Sequence, residues 1–155
     1  MGPGTKTSLD KRTVEILQDL IQINIDSREG LAEAADKVSD VALAAAFEQI
    51  ALERSDHIAE LRTLVAANAE EPELDGSVAA AVHRTWMDLR AALGGGPRAI
   101  LSEAERGEDQ IVAKYEAALD SAGAGPAADV LRRQFASVKQ AHDRIRDLRD
   151  HYQTN

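Results

Sequence analysis

The sequence predicts an all-α fold, a bundle of four long helices with a short extra helix in the connection between the second and third long ones. Three observations predict it. Apolar residues recur at three- and four-residue spacing, short breaks rich in glycine, proline and serine separate these stretches, and no useful length alternates as a strand would. Only 3% of the residues are aromatic while alanine is abundant, which is typical of closely packed helices rather than of a sheet.

The breaks divide the chain into five predicted helices. Ser39 and Asp40 separate the first helix from the second, and they supply the N-cap of the second helix. A loop at residues 70–77 precedes the third helix, and proline follows glycine at Pro97 and Pro126, where it suits the first turn of a helix. The predicted helices cover about residues 9–38, 41–68, 78–93, 97–121 and 126–152.

The lengths of the connections predict how the helices are arranged. Very short turns make the first and second helices antiparallel neighbours, and likewise the fourth and fifth. A long crossover that contains the third helix would leave the fourth helix parallel to the second, which is the connectivity of ferritin-like bundles. We therefore expect one ferritin-like bundle domain at residues 9–152, after a disordered lead-in at residues 1–8.

Composition excludes several classes of function. The chain has no cysteine, so disulfides, cysteine-based zinc sites and thiol catalysis are ruled out. A net charge of −9 argues against nucleic acid as the main partner, because phosphate binding needs a basic surface. No apolar run is long enough to span a membrane, and no signal peptide is recognisable, so a cytoplasmic location is expected.

Polar residues interrupt the apolar stripes of the long helices near mid-bundle. Counted from each helix midpoint, Asp26, Glu53, Glu108 and His142 fall within about one turn of the same level. Since unpaired charge is costly in a core, these groups must pair with each other, with water or with a metal. The metal hypothesis takes its ligands from four residues, with two secondary candidates: Glu53, His57, Glu108 and His142, then Asp26 and Glu105.

The metal in question would be iron or manganese at a carboxylate–histidine centre of the di-metal type. Such a centre takes a Glu from each of two helices and a Glu-x-x-His motif from each of the other two. Here Glu53 and His57 are four residues apart rather than three, and Lys139 stands where the second motif would place its glutamate. About half of the expected ligand set is present.

The competing hypothesis is a structural ion-pair network. Arg54 lies on the core line of the second helix, where its guanidinium would neutralise Glu108 or Glu53 and repel a cation. The sequence favours this interpretation. In it, Tyr115 is a packed and hydrogen-bonded core residue rather than a redox-active tyrosine, and Trp86 anchors the crossover to the bundle. Gly107 would allow a close approach beside Glu108.

Four segments resemble a known family: NIDSREGLAEAA, GSVAAAVHRTWMDLR, ERGEDQIVAKYEAAL and RQFASVKQAHDRIRDLRD. Together they are similar to an uncharacterised bacterial family of ferritin-like four-helix-bundle proteins, a domain of unknown function, over about residues 8–150. The resemblance implies a ferritin-like fold and no established activity. Carried over residue by residue, the metal roles of ferritins would fall on Glu53, Glu108 and His142.

The function expected from the sequence is therefore binding or structural rather than enzymatic, with a buried network of glutamate, arginine and histidine. The alternative is a metal-binding protein with an oxidoreductase, iron-handling or stress role that uses Glu53, His57, Glu108 and His142. Alanine-rich segments at residues 41–46 and 78–82 allow helices to approach closely, which is compatible with a homo-oligomer.

Overall fold

The computed structural model describes residues 11–67, 80–122 and 125–154. The predicted lead-in at residues 1–8 and the predicted loop at residues 70–77 lie outside these ranges. Within them, all five predicted helices are present, and no strand occurs among the described residues. The helices are α1 Lys11–Lys37, α2 Val41–Ala66, α3 Ala80–Ala92, α4 Pro97–Ala122 and α5 Pro126–Thr154.

Local signals in the sequence explain where α2, α4 and α5 begin. The side chain of Asp40 accepts a hydrogen bond from the Leu43 backbone N–H at 2.9 Å, which is the predicted N-cap of α2. Pro97 and Pro126 are the first residues of α4 and α5, where a missing N–H costs nothing. Gly125, just before α5, has a φ of 113°, a conformation that residues with a side chain rarely adopt.

The four long helices form two antiparallel pairs joined by a crossover. α1 packs mainly on α2 and α4 mainly on α5, while α1 also contacts α4 and α2 also contacts α5. Near the end of α2, Glu60 pairs with Arg133 near the start of α5, whereas Tyr152 near the end of α5 bonds Asp40 at the start of α2. α5 is therefore antiparallel to α2, and α4, which is antiparallel to α5, is parallel to α2. α1 packs on α2 after the short break at residues 38–40 and is antiparallel to it. The predicted crossover topology is confirmed.

The short helix α3 covers one side of the bundle, where it packs against α1 and α4. Its anchor is Trp86, whose indole lies between Gly30 of α1 and Gly107 of α4 and is only 3% exposed. A Cβ atom placed on Gly30 would be 2.9 Å from Trp86 Cε3, and one on Gly107 would be 2.7 Å from Cη2. Both glycines are thus needed for the ring to fit, which confirms the predicted roles of Trp86 and Gly107.

Aliphatic side chains from all four long helices fill the space between them, together with Phe47 and Tyr115. Leu17, Leu61 and Ile111, for example, have no exposed surface. Among the described residues, no helix combines the length and the apolar character needed to cross a membrane. The core is continuous along the bundle, so a polar group at mid-bundle must find its partners inside it.

Candidate functional site

The centre of the bundle holds a fully buried ion pair between Arg54 of α2 and Glu108 of α4. Arg54 Nη2 donates to Glu108 Oε1 at 2.7 Å, and Nη1 donates to Oε2 at 3.1 Å, so the two planar groups meet edge to edge. Nη1 also donates to Ser27 Oγ of α1 at 2.9 Å. Neither Arg54 nor Glu108 has any exposed surface. The preferred interpretation of the sequence, that Arg54 neutralises Glu108, is confirmed.

Arg54 keeps its positive charge despite its burial. Burial by itself disfavours a charged guanidinium, but the adjacent Glu108 carboxylate more than compensates and raises the pKa of Arg54 above its ordinary value. The bidentate geometry uses both oxygens of the carboxylate and two of the guanidinium nitrogens. The guanidinium and the carboxyl group therefore bond each other directly at the centre of the bundle.

A second polar network lies beside the ion pair and is centred on the Tyr115 hydroxyl. This hydroxyl accepts a hydrogen bond from Asn24 Nδ2 at 3.0 Å and donates one to Gln134 Oε1 at 2.7 Å. The Gln134 amide in turn donates to the His57 carbonyl and to Glu60 Oε1, at 3.3 and 2.9 Å. Burial raises the pKa of Tyr115, so the phenol keeps its proton. The network connects all four long helices.

His57 is a buried and neutral histidine. Burial first, and then the nearby Arg54 charge, lower its pKa to about 4. Its ring meets Tyr115 edge-on, with the ring centroids 6.5 Å apart. Together with Glu53 it lines a groove of about 520 Å³ between α2 and α5, where Glu53 accepts hydrogen bonds from Gln49 and Ser137.

His142 lies at the seam between α4 and α5, away from the ion pair and only partly buried. Its Nε2 is 2.6 Å from Asp109 Oδ1, and its Nδ1 is 3.2 Å from Asp143 Oδ1. Partial burial lowers its pKa, but the two carboxylates outweigh this and raise it overall. Glu105 lies beside this pair and is bonded to Arg149.

The structure therefore distributes the six predicted ligands over four places. Glu108 is in the central ion pair, Glu53 and His57 line the α2–α5 groove, and Glu105 and His142 lie at the α4–α5 seam. Asp26, which accepts a hydrogen bond from Gln22 at 3.1 Å, borders a small space beside Trp86. Arg54 bonds both oxygens of Glu108 and brings a positive charge beside it, while the hypothesis of a metal site at these residues stays a prediction.

The family described as Domain of unknown function (DUF2383) matches residues 12–121. The chain belongs to this family. The match spans α1 to α4, and so includes Arg54, Glu108, Trp86 and both glycines that contact its ring. Membership of an uncharacterised family, expected from the sequence, is confirmed. No curated protein matches the chain.

Among the described residues of this DUF2383 chain, one group of three side chains could hold a metal ion. Its potential ligand atoms lie within 4.8 Å of one another. The group consists of Glu105, Asp109 and His142. The sequence pointed to two of them and missed Asp109, although Glu105 and Asp109 have the four-residue spacing that places side chains on one helix face. Which residue of α5 faces them depends on the rotation of that helix, which spacing along α4 does not determine.

A groove between α1 and α2 was also missed by the sequence reasoning. It runs along the outer surface between α1 and α2, encloses about 670 Å³, and is lined by five alanines together with larger apolar residues, serines and charged residues. Two of these larger residues are strongly exposed, Val41 at 83% and Leu52 at 60%. The alanine-rich segment at residues 41–46 was the available signal, but it does not by itself indicate which face of the helix is exposed.

Proposed function

We propose that this protein is a non-enzymatic helical-bundle protein that acts by binding a partner through its outer surface, with a polar core that serves as a rigid frame. The observation that supports this is the buried bidentate pair of Arg54 and Glu108. A carboxylate that binds a metal must offer a free oxygen, and here the guanidinium bonds both of them. The centre of the bundle is thereby committed to holding helices together.

The Tyr115 network supports the same proposal. It joins Asn24 of α1, Gln134 of α5 and the His57 carbonyl of α2 to a tyrosine of α4 through buried hydrogen bonds. Buried hydrogen bonds that join helices restrict how those helices are arranged, although Asn24 Oδ1 in this network has no hydrogen-bond partner among the described residues. Because they fix how the helices are rotated, they also fix which side chains are presented to a partner on the outside.

Metal loading tests the role of the core. The purified protein is incubated anaerobically with Fe²⁺, desalted, and analysed for iron per chain. Glu108→Gln is compared with Glu116→Gln, which alters an exposed carboxylate of the same helix and leaves the ion pair intact. We expect no retained iron that depends on Glu108. One or two ions per chain that are lost in Glu108→Gln and kept in Glu116→Gln would overturn the proposal.

A second candidate function is the binding of a single divalent cation at the α4–α5 seam. Glu105, Asp109 and His142 favour it, because two carboxylates and one imidazole are ligands that suit zinc or manganese. Asp143, on the other ring nitrogen of His142, would orient the imidazole. The Arg149 contact with Glu105 competes with this role, since the carboxylate must be released before it can bind a cation.

Calorimetric titration with Zn²⁺ tests the second candidate. It predicts one ion per chain, lost in His142→Gln and retained in the matched control His151→Gln, which alters an exposed histidine of the same helix. Equal zinc binding by both variants, or no binding by the unmodified protein, would contradict it. Neither result would affect the proposal for the core.

A further inference from the structure

The groove between α1 and α2 exposes large hydrophobic side chains to solvent, which an isolated monomer would be expected to bury. Val41 and Leu52 are two of the three large hydrophobic side chains that are exposed in the described part of the chain, and both line this groove. Between them, α2 presents Ala44 and Ala45, whose small side chains leave depressions in the surface. An exposed patch that combines large protruding and small recessed residues is typical of a contact surface.

The residues of α2 that line the groove are arranged symmetrically about Glu48. They follow a repeat of three and four residues, so they lie on one face of the helix. Reversing the order about Glu48 exchanges Leu52 with Ala44 and Val41 with Ser55. If two copies of α2 meet antiparallel at this level, each Leu52 therefore faces a small residue of the other copy, and so does each Val41.

The charges on α1 follow the same symmetry. Ser27 of α1 contacts Arg54 of α2, so these two residues lie at about the same level of the bundle. Because the helices are antiparallel, Ala32, five residues further along α1, lies about level with residues 48 and 49 of α2. Arg28 and Asp36 line the groove four residues on either side of Ala32. In the same antiparallel arrangement, Arg28 of each copy faces Asp36 of the other. The arrangement that places large side chains of α2 against small ones therefore also places opposite charges of α1 against each other.

We propose that the α1–α2 groove is the interface of an antiparallel homodimer whose two-fold axis passes at the level of Ala32 and Glu48. The partner in the proposed function is then a second copy of this chain. An isologous contact of this kind needs a surface that is complementary to itself, and the exchanges of Leu52 with Ala44 and of Arg28 with Asp36 provide it. The inference rests on the proposed function, in which the outer surface binds a partner.

Size and charge set the expected strength of the dimer. The lined part of α2 is about 20 Å long, and two neighbouring helices are about 20 Å across, so the flat contact is on the order of 400 Å² per copy. This is about half of a standard interface, so a weak, transient dimer is expected. The two Glu48 carboxylates meet near the axis and oppose association, so Glu48→Gln should tighten the dimer about 5-fold.

Sedimentation over a concentration series from micromolar to millimolar tests the interface. We expect a monomer–dimer equilibrium in the full chain and loss of the dimer in Leu52→Glu. The matched control is Met87→Glu, which changes the third exposed hydrophobic residue, outside the groove, and should leave the dimer intact. A chain that stays monomeric throughout the series, or a dimer that survives Leu52→Glu, would overturn the proposal.

Charge reversal tests the orientation of the two copies. Arg28→Asp and Asp36→Arg should each weaken the dimer by about 10-fold, because each creates two like-charge contacts by symmetry. The double variant should restore the affinity of the unmodified protein, since opposite charges face each other again. A double variant that is weaker than either single one would rule out this arrangement of Arg28 and Asp36.

The absence of cysteine gives a direct test of the axis. Glu48→Cys should be joined to a second copy by a short bismaleimide, whereas the control Glu116→Cys, exposed on α4, should not. Equal cross-linking of both variants would contradict the proposed axis. None of these measurements depends on iron loading, so a failure of the dimer and a failure of the proposed role of the core can be told apart.

Discussion

Replacing Arg54 by methionine should strand a buried carboxylate, and the size of the effect can be worked out from the structure. The substitution removes the three hydrogen bonds that Arg54 donates to Glu108 and Ser27, and leaves Glu108 in a core with no exposed surface. An unpaired charge is not tolerated there, so the carboxyl group takes up a proton. The free energy needed to protonate the carboxyl group determines how much the substitution destabilises the fold.

For a glutamate of ordinary acidity, taking up a proton costs about 1.4 kcal/mol for each pH unit above about 4.3, or about 3.7 kcal/mol at pH 7. This agrees with the loss of about 3–5 kcal/mol that is typical when one partner of a buried pair is removed. The folded variant then holds a proton that the unfolded chain lacks, so its stability falls as pH rises. Relative to the unmodified protein, Arg54→Met should lose about 3.7 kcal/mol at pH 7 but only about 1 kcal/mol at pH 5.

Urea denaturation at pH 7 and pH 5 measures both quantities. The control Arg133→Met removes the exposed α5 partner of Glu60 on α2 and should cost less than about 1 kcal/mol at either pH. The double variant Arg54→Met/Glu108→Leu replaces both charges with apolar groups and should be close to neutral or stabilising by about 1–4 kcal/mol. If Arg54→Met costs no more than Arg133→Met, or costs the same at both pH values, the argument from a stranded carboxylate is refuted.

Two further predictions concern the anchor of α3 and the buried histidine. Gly107→Ala puts a methyl group against the Trp86 ring and should destabilise the folded protein by about 1–3 kcal/mol in thermal melts. The control Gly94→Ala, whose methyl group would meet nothing within 4 Å, should not destabilise it. Equal effects of the two substitutions would contradict the tight contact. The pKa of His57 is lowered to about 4 in the folded state, so the unfolded chain binds the extra proton below about pH 6.5. Stability should therefore fall by about 3 kcal/mol from pH 7 to pH 4 through this residue, and His57→Gln should lack that part of the pH dependence.

The helices and their connectivity could be predicted because the signals are local. Asp40, Pro97 and Pro126 act on the residues beside them, and the short turns make α1 and α2, and likewise α4 and α5, antiparallel neighbours. The central ion pair was also predictable, since Arg54 and Glu108 both interrupt apolar stripes and a core charge requires a partner. Trp86 could be assigned to an anchoring role because large aromatic residues in a short amphipathic helix must pack against something.

The candidate ligands could be assigned to a level of the bundle but not to a common site. One residue of a helix corresponds to a rotation of about 100°, so a side chain on the margin of a stripe can face the core or a seam between helices. His142 illustrates this: it lies at the same level as Glu108 by counting, yet it faces Asp109 at the α4–α5 seam. The hypothesis of a metal site that includes Glu53 and His57 stays a prediction.

The sequence by itself determined the number of helices, where they start and stop, the order in which they pack, and the need for a cation beside Glu108. These follow from capping, helix breaking and the cost of buried charge, which depend on residue type and spacing. Only the tertiary structure decided that Arg54 reaches both oxygens of Glu108, that Trp86 fits between Gly30 and Gly107, and that Val41 and Leu52 remain on an open groove. Those outcomes depend on how far each helix is rotated about its axis, and the side chains that fix this rotation, such as Asn24 and Tyr115, lie 91 residues apart in the chain.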